Sequence, residues 1–248
     1  MSTSKKRLDL LVVEKGLAPS RQRARALIMA GKVLVNQVPV DKPGSLVYPD
    51  DHFDLKGCDI AYVSRGGTKL EAALKGFELN VSGDFCLDAG ASTGGFTDCL
   101  LQHGADRVVA VDVGYGQLAW KLRQDPRVVV IERTNIRYLQ LETVGEPVDL
   151  ATVDVSFISL KIVVPVLLGF VKQAGHILAL IKPQFEVGKG RVGKGGVVKN
   201  PDLHQEIINE LTAFFATAGL DCKGVLPSPI LGPKGNREFF ILLRVPAL

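Results

Sequence analysis

Residues 85 to 113 read FCLDAGASTGGFTDCLLQHGADRVVAVDV, and this stretch decides the fold. Phe85 to Asp88 is a short apolar run of strand type. A glycine-rich turn follows, Gly90 to Gly95, then a helical segment from Gly95 to His103 and a second strand from Arg107 to Asp112. Strand, turn, helix and strand make one unit of a parallel α/β fold. Glycines at the end of the first strand let the backbone turn tightly, and doubly wound folds bind ligands at that edge. The spacing Gly90-x-x-x-Gly94-Gly95 is not the dinucleotide fingerprint, and no Gly-Lys-Ser/Thr is present for a nucleotide-phosphate loop. Asp112 lies 24 residues after Asp88, at the end of the second strand. An acid there accepts hydrogen bonds from both ribose hydroxyls of an adenosine, in NAD as in any other adenosyl carrier.

Downstream the alternation continues. The pattern predicts strands at Val128 to Ile131, Val148 to Asp154 and His176 to Lys182, with helices at Leu160 to Val171 and Pro201 to Ala218. Upstream, Gly66 to Leu79 reads as a helix despite its glycine pair. The result is a mostly parallel sheet with helices on both faces. The last two strands, Cys222 to Leu226 and Phe239 to Val245, follow one another without a helix, which predicts an antiparallel strand at the end. Two loops, Gly188 to Val197 and Pro227 to Asn236, are rich in Gly and Lys or in Pro and Gly.

The N-terminal part has another character. RLDLLVVEK, residues 7 to 15, has helical spacing and stops at Gly16. Pro19-Ser20 opens a second helix with Ser20 as N-cap. Arg21 and Arg25 share one of its faces and Arg23 lies to the side; Gly31 ends it. Short strands follow at Val33 to Val35, Val38 to Val40 and Asp51 to Leu55, with turns at Asn36-Gln37 and Pro43-Gly44. Residues 56 to 64 read as a linker.

Composition narrows the class. Of 248 residues 46% are hydrophobic and 23% charged, a globular profile. The longest apolar run, Ile158 to Val171, carries Lys161 and Pro165 and falls short of the roughly 18 residues that span a bilayer. The residues after the basic N-terminus do not form a signal-peptide core, so the expected location is the cytoplasm. Cys58, Cys86, Cys99 and Cys222 form no Cys-x-x-Cys pair, which argues against zinc and against a disulfide framework. No metal site is expected. His103 and His176 are expected to be structural. The net charge is +4, yet residues 1 to 35 alone carry eight cations against Asp9 and Glu14, a local +6. Such an excess marks a phosphate-binding surface or a solvated helix face.

The run RLDLLVVEKGLAPSRQRARALIMAGKVLVNQVPVDKPGSLV resembles the S4-type RNA-binding domain, whose arginine-bearing helix contacts RNA phosphates. That resemblance implies an RNA face of Lys5, Lys6, Arg7, Arg21, Arg23, Arg25 and Lys32. The string DAGASTGGFTDCLLQHGA…VVAVDVGYGQLAWKLRQDPRV resembles the FtsJ-like methyltransferases. The implied fold is a Rossmann-like class I methyltransferase sheet preceded by a small α+β S4-type domain. The boundaries are 1–59 for the S4-type domain, 60–64 for the linker and 65–248 for the catalytic domain. The implied cofactor is S-adenosylmethionine, held by Asp88, Gly90, Ala91, Ser92, Thr93, Gly94, Gly95, Phe96, Asp112, Asn135 and Asp154. The 90–95 loop would wrap the methionine part, Asp112 the ribose, and Thr134-Asn135-Ile136 the adenine.

FtsJ-like 2′-O-methyltransferases share a Lys-Asp-Lys-Glu tetrad, and the matching positions are Lys69 in SRGGTKLEAAL, Asp154 in VDLATVDVSFIS, Lys182 in ILALIKPQFE and Glu238 in GNREFFILL. A ribose hydroxyl is a poor nucleophile until its proton leaves and its oxygen is aligned behind the methyl group. Burial and a neighbouring cation ready a lysine amine for that proton. By the resemblance Lys182 is the base, held between Asp154 and Glu238, and Lys69 is the tuning and positioning residue. Phe157 reads as core or as an aromatic flank of the cofactor, with the flank preferred.

Both domains in this order resemble the TlyA family, through further runs such as YVSRGGTKLEAAL, VDVSFISL, IKPQFEVGKG and GVVKNPDLHQ. Its members are ribosomal RNA cytidine 2′-O-methyltransferases, often also labelled haemolysins. Where some members carry Trp in the linker, this chain has Tyr62. The expected partners are ribosomal RNA or ribosomal subunits, without stable membrane association. Two rivals stand beside this reading. A membrane-active haemolysin would need an amphipathic or apolar insertion element, which the sequence lacks. A non-catalytic RNA-binding protein would be expected to lose tetrad residues, and all four are present.

Overall fold

The computed structural model describes residues 5–18, 20–55, 61–188, 190–232 and 235–247. Pro19, Cys58 and the linker reading over 56–60 fall outside them. The chain divides into two compact units, Met1–Ile60 and Ala61–Leu248.

In the first unit, helix α1 (Leu8–Glu14) packs with α2 (Arg21–Met29). Strands β2 (Val33–Val35), β3 (Val38–Pro39) and β5 (Phe53–Leu55) form a sheet in the order β3-β2-β5, and β1 (Lys6–Arg7) pairs with β4 (Leu46–Val47). The Ser20 hydroxyl caps α2 by accepting the Arg23 N–H at 3.2 Å, as expected. Asn36 and Gln37 have φ of 51° and 67°, the pair of left-handed residues that a tight hairpin needs. Leu8, Val12, Ala24, Leu27, Ile28 and Val33 form the core. The β1–β4 ribbon has no counterpart in the sequence pattern, because two-residue strands carry no period.

The second unit holds a seven-stranded sheet in the order β11-β12-β10-β9-β6-β7-β8. The strands are β6 (Phe85–Ala89), β7 (Arg107–Val111), β8 (Val128–Ile131), β9 (Val148–Val153), β10 (Val171–Ile181), β11 (Asp221–Pro227) and β12 (Phe239–Arg244). Only β12 runs against its neighbours, antiparallel to both β10 and β11. The central strands are buried on both faces, as in parallel sheets generally. Leu87, Val109, Ala151, Val153, Ile177 and Ala179 face α7 (Leu160–Leu167) and α9 (Pro201–Thr217). Cys86, Val108, Leu150, Leu178 and Leu180 face α3 (Arg65–Gly76) and α4 (Gly95–Gln102). The order of connection reverses between β6 and β9, which places a crevice at their carboxyl ends.

One boundary differs from expectation. Helix α7 stops at Leu167, and Val171 already pairs with Val148 as the first residue of β10. A buried helix end and a buried strand start are equally apolar, so periodicity cannot separate them. The extension carries an irregularity at Ala174, φ 60°, where the pairing register shifts. Helices α5 (Trp120–Arg123), α6 (Leu141–Val144) and α8 (Pro183–Glu186) lie in stretches to which the sequence pattern assigns no element. One turn is too short to show a helical period.

Candidate active site

The glycine turn sits at the head of β6. Gly90 and Ala91 donate to the Val111 carbonyl at 2.8 and 3.1 Å, fastening the loop to β7. Gly90 has φ +88°, and a Cβ there would lie 2.6 Å from the Asp154 carbonyl oxygen. No other residue type fits between the two strand ends. Thr93 accepts the Ala119 N–H at 3.1 Å, and Gly94 is the N-cap of α4. Asp112, half-buried at the end of β7, receives the Ser92 N–H at 2.8 Å on Oδ2 and the Gly114 N–H at 2.6 Å on Oδ1. Each oxygen retains a lone pair for a further donor. Asn135 caps the turn Ile136–Tyr138, its side-chain oxygen accepting the Arg137 N–H at 3.1 Å.

Two expected cofactor contacts lie in the interior instead. Asp88 is fully enclosed, with hydroxyl donors Thr97 at 2.7 Å and Thr152 at 3.1 Å. Burial pushes its carboxyl up to about 7, against the pull of those two hydroxyls. Phe96 is core, its ring 6.0 Å from that of Phe240. Both follow from geometry. Residues alternate faces along β6, and α4 turns its first apolar side chain onto the sheet.

The four tetrad positions are arranged as two ion pairs. The Lys182 amine lies 2.6 Å from Asp154 Oδ1 and donates to the Ser156 hydroxyl at 3.0 Å. That ion pair occupies Asp154 Oδ1. Lys69 reaches from α3 and donates to Glu238 Oε2 at 2.5 Å. The expected grip of both carboxylates on Lys182 is therefore corrected: Glu238 belongs to Lys69, whose charge it neutralises. The β10–β12 ladder ends at Ile181↔Phe239, so Lys182 and Glu238 leave it at the same level. Lys69, Lys182 and Glu238 are buried. Glu238 Oε1 is buried without a donor, and a buried acceptor left unpaired calls for a bound partner.

Other neighbours complete the edge. Ser156 holds the Lys182 amine. Phe157 is 90% exposed, which excludes the core reading, and its φ is +64°. Its ring lies 5.0 Å from that of Phe185, tilted by 47°; Phe185 lies three residues beyond Lys182. Glu186, held above the usual carboxylate range by burial, accepts the Ser159 hydroxyl at 2.6 Å and the Leu160 N–H at 2.9 Å. It ties the segment after β9 to the one after β10. Gly232 lies against the Glu238 carboxylate so closely that a Cβ would collide with Oε1. Sequence reasoning misses Ser156, Phe185, Glu186 and Gly232. The runs DVSFIS and KPQFE carry a signal for the first three; Gly232 leaves none.

Comparison with known proteins now bears on the site. A model of the FtsJ-like methyltransferase family matches residues 62–245, and an S4-domain model matches residues 6–53. The 16S/23S rRNA (cytidine-2'-O)-methyltransferase TlyA of Mycobacterium tuberculosis is 51% identical over 239 residues, 96% of this chain and 89% of that protein. The chain belongs to the TlyA family of FtsJ-like methyltransferases. Another relative, Hemolysin A of Brachyspira hyodysenteriae, is 42% identical and is covered to 97% by 94% of this chain. A solved structure from Streptococcus thermophilus that carries a hemolysin name superposes with a TM-score of 0.78 at 43% identity, over 99% of this chain and 90% of that one. Among the described residues, this TlyA-family chain has no helix long and apolar enough to cross a membrane, and no cluster of metal-ligating side chains.

Proposed function

We propose that the chain transfers a methyl group from S-adenosylmethionine to a ribose 2′-hydroxyl of ribosomal RNA, with cytidine as the target nucleoside. The observation that carries this reading is the arrangement of two lysine–carboxylate pairs at the carboxyl edge of the sheet. Glu238 there keeps one buried oxygen, Oε1, without a donor. The name of the Mycobacterium tuberculosis relative supports the substrate.

The residues present fit an adenosyl cofactor. The 90–95 backbone offers a turn without bulk, and Asp112 stands at the neighbouring strand end with lone pairs to spare for ribose hydroxyls. When bound, the sulfonium supplies an electrophilic methyl group. Lys182 takes the 2′-proton, with its amine positioned by Asp154 and Ser156. Glu238 Oε1 accepts a hydrogen bond from the target ribose, and Lys69 holds Glu238 in place. Phe157 offers an exposed ring at this edge for a nucleobase.

RNA capture falls to residues 1–59 and chemistry to 65–248, joined by 60–64, in a protein working in the cytoplasm on ribosomal subunits. On the RNA side, Arg23, Arg25 and Lys32 have no carboxylate within ion-pair distance among the described residues, whereas Lys6 pairs with Glu14 at 3.1 Å. The test is methyl transfer to purified ribosomal subunits, followed by mapping of 2′-O-methylated positions. New methylated cytidines are expected. Transfer to neither subunit, or to a base nitrogen, overturns the reading.

A further inference from the structure

Among the described residues, Asp9 is the buried acid of the basic N-terminal unit, with 0% exposure. It holds two arginines from different elements. Arg7, in β1, donates through Nε to Oδ1 and through Nη2 to Oδ2, both at 3.0 Å. Arg21, the first residue of α2, donates through Nε to Oδ2 at 3.0 Å. Both guanidinium groups remain about half exposed. Arg7 uses one edge on Asp9, which leaves Nη1, beside Gly44, free of that contact. Arg21 spends only Nε, which leaves both terminal nitrogens. Two fixed cations with donors left over make a site for a bidentate anion such as a phosphodiester.

We infer that Asp9 is a positioning residue for RNA recognition, holding Arg7 and Arg21 so that their free N–H groups grip one backbone phosphate. The inference rests on the RNA reading above and adds a residue of the wrong charge to it. Net charge alone says that removing a carboxylate from a basic surface strengthens binding to RNA. Positioning says the opposite. Without Asp9 two rotamer-rich side chains must be ordered by the phosphate itself, and that cost comes out of the affinity. The neighbourhood is settled on each side. Leu8 and Asp9 donate their backbone N–H groups to Ser45 and Pro43, so the Asp9 backbone is fixed whatever its side chain carries.

The experiment titrates the full-length protein against a fluorescein-labelled RNA hairpin with single-stranded flanks, over a series of KCl concentrations. Asp9→Asn is expected to bind about tenfold more weakly, with a shallower salt slope because fewer phosphates are gripped. In an Arg7→Ala/Arg21→Ala background the same substitution is expected to change nothing further, because Asp9 then has nothing to position. Arg21→Lys keeps the net charge and the fold but spends its ammonium on Asp9; it too is expected to weaken binding and flatten the slope. It decides the matter if Asp9→Asn fails to fold. Binding by Asp9→Asn or Arg21→Lys as tight and as salt-dependent as the parent's overturns the inference. An equal loss in the double-alanine background does so as well. A parent that binds no RNA overturns the functional reading itself, which is a separate outcome.

Discussion

Lys69 and Glu238 lie 169 residues apart in the chain and meet at 2.5 Å, both buried, where α3 passes the start of β12. Breaking such a pair from one side strands a charge in the interior, at a cost of about 3–5 kcal/mol. Lys69→Met is therefore expected to lower the denaturant midpoint sharply. Lys69→Met/Glu238→Gln leaves no stranded charge and is expected to recover most of the loss. Methyl transfer is expected to stay absent in both. A double variant no more stable than the single one refutes the pair as a folding element.

Gly232 gives a gentler way to disturb the same carboxylate. A methyl group at 232 would overlap Glu238 Oε1, so Gly232→Ala must move the carboxyl group. Cofactor affinity, measured by calorimetry, is expected to stay within about twofold. The rate at saturating RNA is expected to fall by about 10²-fold, the scale of a small misplacement at a reacting centre. An unchanged rate means that Glu238 does not touch the reacting ribose.

Asp88 gives a signature in pH. Its carboxyl, near 3.8 when unfolded, is pushed up to about 7 by burial in the fold. The folded state therefore holds the proton more tightly. The stability tied to this group is fully present below about pH 4 and is lost as pH rises through 7. Asp88→Asn keeps an uncharged group at the site throughout. The stability difference, variant minus parent, is expected to grow between pH 4 and pH 7, by up to the order of 4 kcal/mol. A difference that is flat with pH sinks the assignment.

The legible part of the sequence is what repeats or punctuates. The run from Phe85 to Val113 contains both an apolar strand run and a glycine turn, and its strands and helix lie where that pattern puts them. The antiparallel ending is readable because no helix separates β11 from β12. Partner choice is not readable. The motifs place Lys69, Asp154, Lys182 and Glu238 at one edge, but which carboxylate holds which lysine depends on side-chain reach across α3, β10 and β12. The same limit hides Asp88 and Phe96. A motif residue at a strand end or helix start points to ligand or to core according to a face that spacing alone leaves open. Gly232 is silent because its role is the absence of a side chain beside a residue six positions on.

Phe157 combines exposure with backbone strain, its left-handed φ of +64° being costly for any residue but glycine. A side chain that gains nothing from burial yet keeps a strained backbone fits a binding role. Phe157→Gly is expected to raise stability by about 1 kcal/mol by relieving that strain. The same variant is expected to raise the KM for RNA about tenfold or more through loss of a stacking face. Cofactor affinity should not move. A variant with an unchanged KM assigns Phe157 to some other contact.

Lys182 decides the chemistry. Its amine is fixed by the charge of Asp154 at 2.6 Å and by the Ser156 hydroxyl at 3.0 Å. If it takes the 2′-proton, Lys182→Ala is expected to reduce single-turnover transfer by at least about 10³-fold while calorimetry still shows cofactor binding. Lys182→Arg keeps the charge and the contact with Asp154, yet a guanidinium stays protonated at any working pH and cannot act as a base. It is expected to be as inactive as the alanine variant. Ser156→Ala removes one of the two anchors and is expected to cost about tenfold, because the amine remains but is less well aimed. Single-turnover conditions keep product release from hiding the chemical step. An arginine variant with substantial activity would show that position 182 supplies only charge. The proton would then have to leave to solvent or to the free oxygen of Glu238.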